Sequence, residues 1–142
     1  MQVSELMTRE VEMVSPQDTL ARAAQKMASL DVGALPVAEN DRLVGMVTDR
    51  DITVRAVARQ KGPDTLVRDV MTSEVRYAYE DDDISDVAEN MGDLQVRRLP
   101  VVNREKRLVG IISLGDIARL HEPTDAGEAL QGISRPGGHH NA

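Results

Sequence analysis

The sequence contains one ten-residue pattern twice. Residues 43–52, LVGMVTDRDI, return as residues 108–117, LVGIISLGDI. Aligned at an offset of 64 positions, with one extra residue in the second copy, residues 3–52 match residues 67–117, and 19 of the 50 paired positions are identical. The extra residue, Lys106, falls in a polar stretch between two apolar runs, where a turn absorbs an insertion at little cost. The chain is therefore a duplicated unit, and any fold for it must be built twice.

In each copy, apolar residues at helical spacing come first and short strand-like apolar runs follow. Apolar residues at helical spacing predict an amphipathic helix over residues 17–30, with Ser15 as its N-cap and Pro16 as its first helical residue. In the second copy the acidic run at residues 80–83 is predicted to start the matching helix, as a solvated first turn rather than a metal site.

Two short apolar runs then follow in each copy, and each pair predicts a β-hairpin: ALPVA with LVGMVT, and LPVVN with LVGIIS. A second helix is predicted after each hairpin, over DRDITVRAVAR in the first copy and over LGDIARLHE, ending before Pro123, in the second. With residues 11–15 and 75–79 as short strands, each repeat reads strand, helix, strand, strand, helix.

This order predicts an α/β fold of two tandem repeats. A sheet with helices on one side leaves its other side uncovered, so we expect the two copies to pack with pseudo-twofold symmetry. The composition becomes rich in Gly, Pro and polar residues near the end of the chain, which is typical of poor order. The predicted organisation is repeat 1 at 3–58, a linker at 59–66, repeat 2 at 67–121 and a poorly ordered tail at 122–142.

Composition excludes several classes of function. The net charge of −7, from 24 acidic and 17 basic residues, opposes binding to nucleic acid or anionic membranes. With no Trp, no Phe and two Tyr, the chain cannot build a base-stacking platform. The absence of cysteine excludes disulfides and thiolate metal sites and suits a reducing compartment. Since no apolar stretch is long enough to span a bilayer, we expect a cytoplasmic protein.

The motifs of the two copies carry a family likeness. Each copy opens with VSELMTREV or VRDVMTSEV, continues with VGALPV or VRRLPV, and closes with GMVTDRDI or GIISLGDI. In this pattern each copy resembles a CBS domain, named after cystathionine beta-synthase, and the pair resembles a Bateman module. The chain is similar to the small stand-alone paired-CBS proteins of bacteria, including the type called hypoxic response protein.

The resemblance implies a regulatory module rather than an enzyme. Such pairs bind adenosine-containing ligands, with AMP, ADP or ATP the favoured candidates here, in clefts between the repeats. They signal through a change of conformation or of dimer orientation, and the resemblance implies a homodimer formed through the helices. No cofactor is required, since the adenine nucleotide is the regulatory ligand.

The resemblance also implies which residues bind the nucleotide. The Asp of the closing Thr/Ser-x-x-Asp pattern holds the ribose hydroxyls, and its Thr or Ser lies near the ribose or phosphate. Adenine contacts come from the backbone of the segment before the Pro. Carried over to this chain, the candidates are Thr48, Asp49, Arg50, Asp51, Val32, Gly33, Ala34 and Leu35 in the first copy, and Ser113, Asp116, Val96, Arg97 and Arg98 in the second.

The chemistry of the closing motif allows two interpretations. A strand that ends at Thr48 and turns into a helix leaves backbone N–H groups for a phosphate, and the Asp51 carboxylate can accept from two ribose hydroxyls. The same spacing is also typical of a capping box, in which the hydroxyl and the carboxylate bond the backbone of the helix start without any ligand. Both roles can coexist.

The two copies are not equivalent. The small pair Gly33-Ala34 becomes Arg97-Arg98, which can crowd an adenine, bind phosphates or lie outside the site. A cation, Arg50, stands in the closing motif of the first copy alone. We therefore favour the site that contains Thr48 and Asp51.

The remaining candidates are weaker. Tyr77 and Tyr79 can flank an adenine, although packing at the sheet edge is favoured. The three histidines, His121, His139 and His140, do not predict a structured metal site. The paired acids of the first closing motif have no histidine or cysteine near them in the sequence, so we expect no enzyme activity. The alternative to a nucleotide sensor is a ligand-silent module for dimerisation or for binding an unidentified protein.

Overall fold

A computed structural model describes residues 1–120 and 123–136, and the chain divides into two compact units. The first unit is Glu12–Val75, and the second unit combines Met1–Val11 with the described residues from Arg76 onward. The opening segment of each repeat thus belongs to the unit that is built mainly from the other repeat.

The first unit carries one helix, one hairpin and one irregular helix. Helix α1 spans Leu20–Leu30 and is followed by strands β1, Ala34–Glu39, and β2, Arg42–Thr48. The strands pair antiparallel, as predicted, from Ala34 with Thr48 to Glu39 with Arg42. The predicted second helix is present but irregular: an α-helical turn α2, Asp49–Asp51, leads into a π-helical turn, Ile52–Ala56, and a 3-10 turn, Val57–Arg59. A further 3-10 turn covers Val67–Asp69.

The second unit repeats this order and adds a helix. After a 3-10 turn at Val3–Glu5 come β3, Ala78–Tyr79, and α3, Ile84–Leu94. Strands β4, Arg98–Val102, and β5, Leu108–Ser113, form the second predicted hairpin, and β3 lies parallel to β4. Helix α4 covers Leu114–Leu120 and α5 covers Pro123–Ile133.

The strand predicted at residues 11–15 is reduced to one parallel bridge, Val14 with Val37. The strand predicted at residues 75–79 is shortened to Ala78–Tyr79. Both segments run along the first strand of a hairpin, but they pair with it over one or two residues only.

The helix starts differ from the predicted ones. The N-cap of α1 is Thr19, whose hydroxyl accepts from the Arg22 N–H at 3.2 Å, and the helix begins after Pro16 rather than at it. Ser15 instead opens a tight turn, because its N–H donates to the Asp18 carboxylate at 2.9 Å. The prediction of Ser15 and Pro16 as cap and first residue was wrong for this reason.

Three acidic residues of the run in the second copy make different contacts at the start of the helix. The Tyr79 N–H donates to Asp82 at 2.9 Å, which repeats the turn closed by Asp18 in the first copy. Asp83 is the N-cap of α3 and accepts from the Ser85 N–H at 2.8 Å. Asp81 pairs with Arg104.

The end of the chain departs from the expected unstructured tail. Residues Pro123–Ile133 form a helix, and its apolar residues Ala126, Ala129 and Ile133 are buried. The Gly and polar residues that suggested disorder lie on other faces of this helix or at its close contact with α3. The rest of the predicted tail, residues 122 and 137–142, lies outside the described residues.

Each unit has its own apolar core of aliphatic side chains. In the first unit the opening residues of the second repeat contribute Val67 and Val70, and in the second unit the opening residues of the first repeat contribute Val3, Leu6 and Met7. The core of the first unit also holds Val14, Leu20, Ala23, Met27, Leu35, Val37, Val47 and Ala56. The core of the second unit also holds Ala78, Ile84, Val87, Met91, Leu99, Val101, Ile112 and Ile117.

Candidate functional site

The closing motif of the first unit forms a reciprocal hydrogen-bonded cap. The Thr48 hydroxyl accepts from the Asp51 N–H at 3.0 Å, and the Asp51 Oδ2 atom accepts from the Thr48 N–H at 3.0 Å. These bonds satisfy backbone donors at the start of α2, which has no preceding turn to accept them. The capping interpretation of this motif is therefore confirmed.

The cap leaves the second carboxylate oxygen of Asp51 partly free. Its Oδ1 atom lies 3.8 Å from the Arg55 Nε atom, a distance too long for a strong hydrogen bond. The Arg55 guanidinium instead donates to the carbonyls of Val70 and Met71. The Asp51 side chain keeps 15% of its surface exposed, and among the described residues no donor forms a hydrogen bond with Oδ1.

The segment before the repeated Leu-Pro-Val run lies directly beside this cap. Ala34 pairs with Thr48 across the hairpin, and the Asp49 N–H donates to the Gly33 carbonyl at 2.9 Å. A Cβ atom on Gly33 would lie 3.0 Å from the Asp49 carboxylate, so a side chain there would press on that group. Leu35 is buried in the core and Val32 packs against it.

The structure therefore brings the candidate residues of the first unit together at one end of the β1–β2 hairpin. Asp49 and Arg50 follow Thr48 at the exposed start of α2, and the Arg50 N–H donates to the Asp49 carboxylate at 2.8 Å. Main-chain atoms of residues 32–35 thus lie in one neighbourhood with the carboxylates of Asp49 and Asp51, and Arg50 stands between these two acids in the chain.

The second unit repeats the cap but engages its carboxylate fully. The Asp116 Oδ2 atom accepts from the Ser113 N–H at 3.1 Å, and the Ser113 hydroxyl accepts from the Asp116 N–H at 3.1 Å. The Asp116 Oδ1 atom accepts from Arg119 at 2.8 Å. A ligand hydroxyl would have to compete with that guanidinium for Asp116.

The arginine pair of the second unit lies where the glycine and alanine lie in the first. The Leu114 N–H donates to the Arg97 carbonyl at 2.8 Å, and Arg98 pairs with Ser113 across the hairpin. The Arg97 side chain is exposed and Arg98 is half-buried, while Val96 is buried. Long cationic side chains therefore border this motif, whereas small residues border the first.

Two arginines lie near the carboxylates of the closing motifs and were not among the predicted site residues. Arg55 stands four residues after Asp51, and Arg119 stands three residues after Asp116. Residues at these spacings are neighbours on a helix surface, so the i+3 and i+4 pattern was the available signal.

The two tyrosines pack on each other and on an arginine. Their ring centroids are 5.6 Å apart at an interplanar angle of 86°, and the Arg104 guanidinium lies 4.2 Å above the Tyr79 ring. Asp81 fixes that guanidinium with a 2.7 Å bond. Because Tyr79 pairs with Val102, its ring lies near the far end of β4 from Arg98.

Residues 1–120 and 123–136 contain neither a cluster of metal-ligating side chains nor a membrane-spanning helix. In that part of the chain no three His, Cys, Asp or Glu side chains are grouped so that they could hold a metal ion. In the same part no helix combines the length and the apolar character needed to cross a bilayer. His121, His139 and His140, for which no structured metal site was predicted, lie outside the described residues.

Comparison with known proteins gives a consistent family relationship. The family model of the CBS domain matches residues 3–57 and 67–122. The CBS domain-containing protein YhcV of Bacillus subtilis is 41% identical over 133 residues, which cover 93% of this chain and 94% of YhcV.

Solved structures of similar proteins share the fold. Hypoxic Response Protein I, crystallised with two coordinated zinc ions, has a TM-score of 0.79 and 36% identity and covers 86% of this chain and 100% of its own. CBSX2 in complex with AMP has a TM-score of 0.74 and 26% identity, over 83% and 93% of the two chains. The CBS domain pair of protein MJ0100, in complex with 5-methylthioadenosine and S-adenosyl-L-methionine, has a TM-score of 0.75 and 27% identity, over 84% and 94%.

Proposed function

The chain belongs to the CBS-domain family, whose domain it carries twice, and we propose that it is a regulatory module that binds an adenosine-containing nucleotide, AMP, ADP or ATP, at the Thr48 to Asp51 motif. The observation that carries this proposal is the partly free Oδ1 atom of Asp51 beside the backbone of residues 32–35. The AMP complex of CBSX2 and the S-adenosyl-L-methionine complex of MJ0100 support the ligand class.

In this proposal each part of the site has one task. The Asp51 Oδ1 atom accepts from the ribose hydroxyls, while Oδ2 keeps its bond to the Thr48 N–H. Backbone groups of residues 32–35 contact the adenine, and Gly33 allows the close approach. Arg50 pairs with the phosphate, since a guanidinium matches two phosphate oxygens. The second motif is the weaker site, because Arg119 already occupies the Asp116 carboxylate.

Binding would act by shifting an equilibrium between arrangements of the protein that a partner distinguishes. A ligand can shift such an equilibrium only as far as it prefers one arrangement. We also propose that the protein forms a homodimer through its helices and resides in the cytoplasm. No enzyme activity is proposed.

The decisive experiment is calorimetric titration with AMP, ADP, ATP, S-adenosylmethionine and NAD. We expect one saturable ligand near one per chain. At about 100 times its dissociation constant it should add about 2.7 kcal/mol to the free energy of unfolding. The chain has no Trp, so heat is a better readout than intrinsic fluorescence.

The matched variants are Asp51→Asn and Asp116→Asn. Each amide oxygen can still accept the capping N–H, so the helix start is retained while the charge is removed. Asp51→Asn should weaken binding about tenfold, equivalent to one charged hydrogen bond, and Asp116→Asn should change it little. If no nucleotide binds, the protein is a ligand-silent interaction module; if Asp51→Asn binds normally, the site is elsewhere.

A further inference from the structure

The two closing motifs differ in what the nearest arginine contacts. In the second unit Arg119 donates to the Asp116 Oδ1 atom at 2.8 Å, while Oδ2 accepts from the backbone, so this carboxylate is engaged on both oxygens. In the first unit the Arg55 Nε atom stays 3.8 Å from the Asp51 Oδ1 atom. The same cap therefore has an engaged Oδ1 atom in one unit and, among the described residues, no donor on Oδ1 in the other.

Two main-chain carbonyls hold the Arg55 guanidinium away from Asp51. Its Nη1 atom donates to the Val70 carbonyl at 3.3 Å and to the Met71 carbonyl at 3.4 Å. Both bonds are long, and long hydrogen bonds are weak, whereas a bond between a guanidinium and a carboxylate joins opposite charges and is strong. Without these two carbonyls, Asp51 is an acceptor that Arg55 can reach.

The shape of the helix contributes to this difference. Arg119 stands three residues after Asp116 in the regular helix α4, where residues at this spacing are neighbours. Arg55 stands four residues after Asp51 and lies in the π-helical turn Ile52–Ala56, whose hydrogen bonds reach the fifth residue instead of the fourth. The π-helical turn therefore changes the direction in which the Arg55 side chain leaves the helix.

The two carbonyls belong to the opening segment of the second repeat, residues 67–72. This segment is fixed to β2, because the Thr72 N–H donates to the Met46 carbonyl at 2.8 Å and the Met46 N–H donates to the Thr72 carbonyl at 2.9 Å. The side chains of Val67 and Val70 are buried in the core of the first unit. The position of the segment on β2 therefore decides which acceptors Arg55 meets.

We propose that Arg55 is a competing donor that couples the nucleotide site to the position of residues 67–72, an inference that rests on the nucleotide function proposed above. While the segment lies on β2, its carbonyls keep Arg55 away and the Asp51 Oδ1 atom can accept from the ribose hydroxyls. When the segment leaves β2, Arg55 turns onto Oδ1, as Arg119 does on Asp116, and the ribose loses its acceptor. Because a ligand favours the arrangement that it binds better, nucleotide binding in turn holds the segment on β2.

Displacing the segment by substitution tests this coupling. A Cβ atom on Gly45 presses on the Met71 sulfur and the Thr72 carbonyl oxygen, so Gly45→Ala pushes the segment away from β2. In calorimetric titration with the five ligands named above, Gly45→Ala should bind about tenfold more weakly, equivalent to the loss of one charged hydrogen bond. Adding Arg55→Met should restore most of the affinity, because the competing donor is then absent. General damage to the site would not be repaired by removing an arginine.

Gly110→Ala is the matched control. Its Cβ atom makes the equivalent collision with Met7 and Thr8 in the second unit, so it should destabilise the protein to a similar degree and leave the affinity unchanged. If Gly110→Ala weakened binding as much as Gly45→Ala, or if the double variant stayed weak, the inference would be overturned. A protein that binds none of the five ligands overturns the proposed function, and this inference with it.

Hydrogen exchange on the original protein tests the coupling without any change in packing. By linkage, a tenfold difference in affinity changes the opening equilibrium of the segment by the same factor of about ten. Saturating AMP should therefore protect the amides of Met46 and Thr72 more than those of Thr8 and Ile111, which form the matching bonds in the second unit. Arg55→Met should abolish this excess. Equal gains of protection at the two places would contradict the coupling, even if Gly45→Ala did not fold.

Discussion

Gly45 and Gly110 end the phrase Leu-Val-Gly that occurs in both repeats. A Cβ atom on Gly45 would lie 2.7 Å from the Met71 sulfur and 2.9 Å from the Thr72 carbonyl oxygen. A Cβ atom on Gly110 would meet the sulfur of Met7 in the same way. Each repeated glycine therefore packs against the Met-Thr segment of the other repeat, and no larger residue fits against the backbone of that segment.

Gly45→Ala should lower the free energy of unfolding by about 1–3 kcal/mol, because the added methyl group overpacks a contact with backbone on one side. Gly127→Ala is the control: its Cβ atom would meet nothing within 4 Å, and alanine in an exposed helix should stabilise by up to about 1 kcal/mol. Urea denaturation of both variants measures the difference. Equal stability of Gly45→Ala and the original protein would contradict the proposed role of this glycine.

Tyr79 is the second residue with a distinct local environment. A hydrogen bond with Tyr77 raises the pKa of the Tyr79 hydroxyl above its ordinary value of 10.0, because the bond favours the neutral form. This contribution to stability is present below the ordinary pKa and is lost as the pH rises through the raised pKa.

Tyr77→Phe should therefore move the Tyr79 titration to lower pH. The chain has two Tyr and no Trp, so tyrosinate absorbance in this variant reports Tyr79 alone. Arg104→Gln is a useful comparison, since losing that nearby cation should move the titration the other way. An unchanged titration in Tyr77→Phe would show that the two hydroxyls do not interact.

At the scale of elements, α5 is the feature that distinguishes the second unit. Its Gly132 lies so close to α3 that a Cβ atom would fall 2.5 Å from the Gly92 carbonyl oxygen. The Gln95 amide donates to the carbonyls of Gly132 and Arg135 at the end of α5, at 3.0 and 3.1 Å. In the first repeat the aligned residues are Ala28 and Asp31, which would block the approach and repel the carbonyls. Helix α5 is therefore fitted to α3 and not to α1.

Gly132→Ala should release α5 from α3, because the methyl group would collide with backbone that has no rotamer to change. Hydrogen exchange should then show loss of amide protection across Pro123–Ile133, while the β4–β5 hairpin stays protected. Gly127→Ala, in the same helix but facing open space, should keep the protection. Retained protection in Gly132→Ala would mean that the close crossing does not hold α5.

At the scale of the whole molecule, the two repeats exchange their opening segments. Thr8 pairs with Ile111 of the second repeat through two hydrogen bonds of 2.9 and 3.0 Å, and Thr72 pairs with Met46 of the first through bonds of 2.8 and 2.9 Å. Val3 and Val67, each fully buried, sit in the core of the unit built from the other repeat. Neither unit has a complete core without the opening residues of the other repeat.

Val3→Ala should therefore destabilise the second unit and Val67→Ala the first, each by about 2 kcal/mol for a cavity in a packed core. Native-state hydrogen exchange is the measurement: Val3→Ala should raise exchange most in β4 and β5, and Val67→Ala most in β1 and β2. The two variants serve as controls for each other. If amide hydrogen exchange rose mainly in the repeat that carries the substitution, the packing of each opening segment in the unit of the other repeat would be contradicted.

The sequence by itself determined the local elements and the likeness between the copies. Both hairpins and both helices of each repeat follow from periodicity, because the alternation of apolar and polar residues must match the period of the element that buries them. The Thr48 and Ser113 caps follow as well, since a capping box is made by residues three positions apart. The candidate residues on each hairpin were predicted from the likeness of the two copies to each other and to a known family.

Only the tertiary structure decided which segments meet. The Met-Thr and Leu-Val-Gly motifs are identical in the two repeats, so the sequence alone does not tell whether they meet within a repeat or across repeats. The composition of residues 122–142 suggested disorder, and the close crossing of Gly132 with α3 is visible only in the structure. The spacing in the sequence places Arg55 and Arg119 near the two carboxylates. Only the structure shows that Arg55 donates to the carbonyls of Val70 and Met71, whereas Arg119 donates to Asp116.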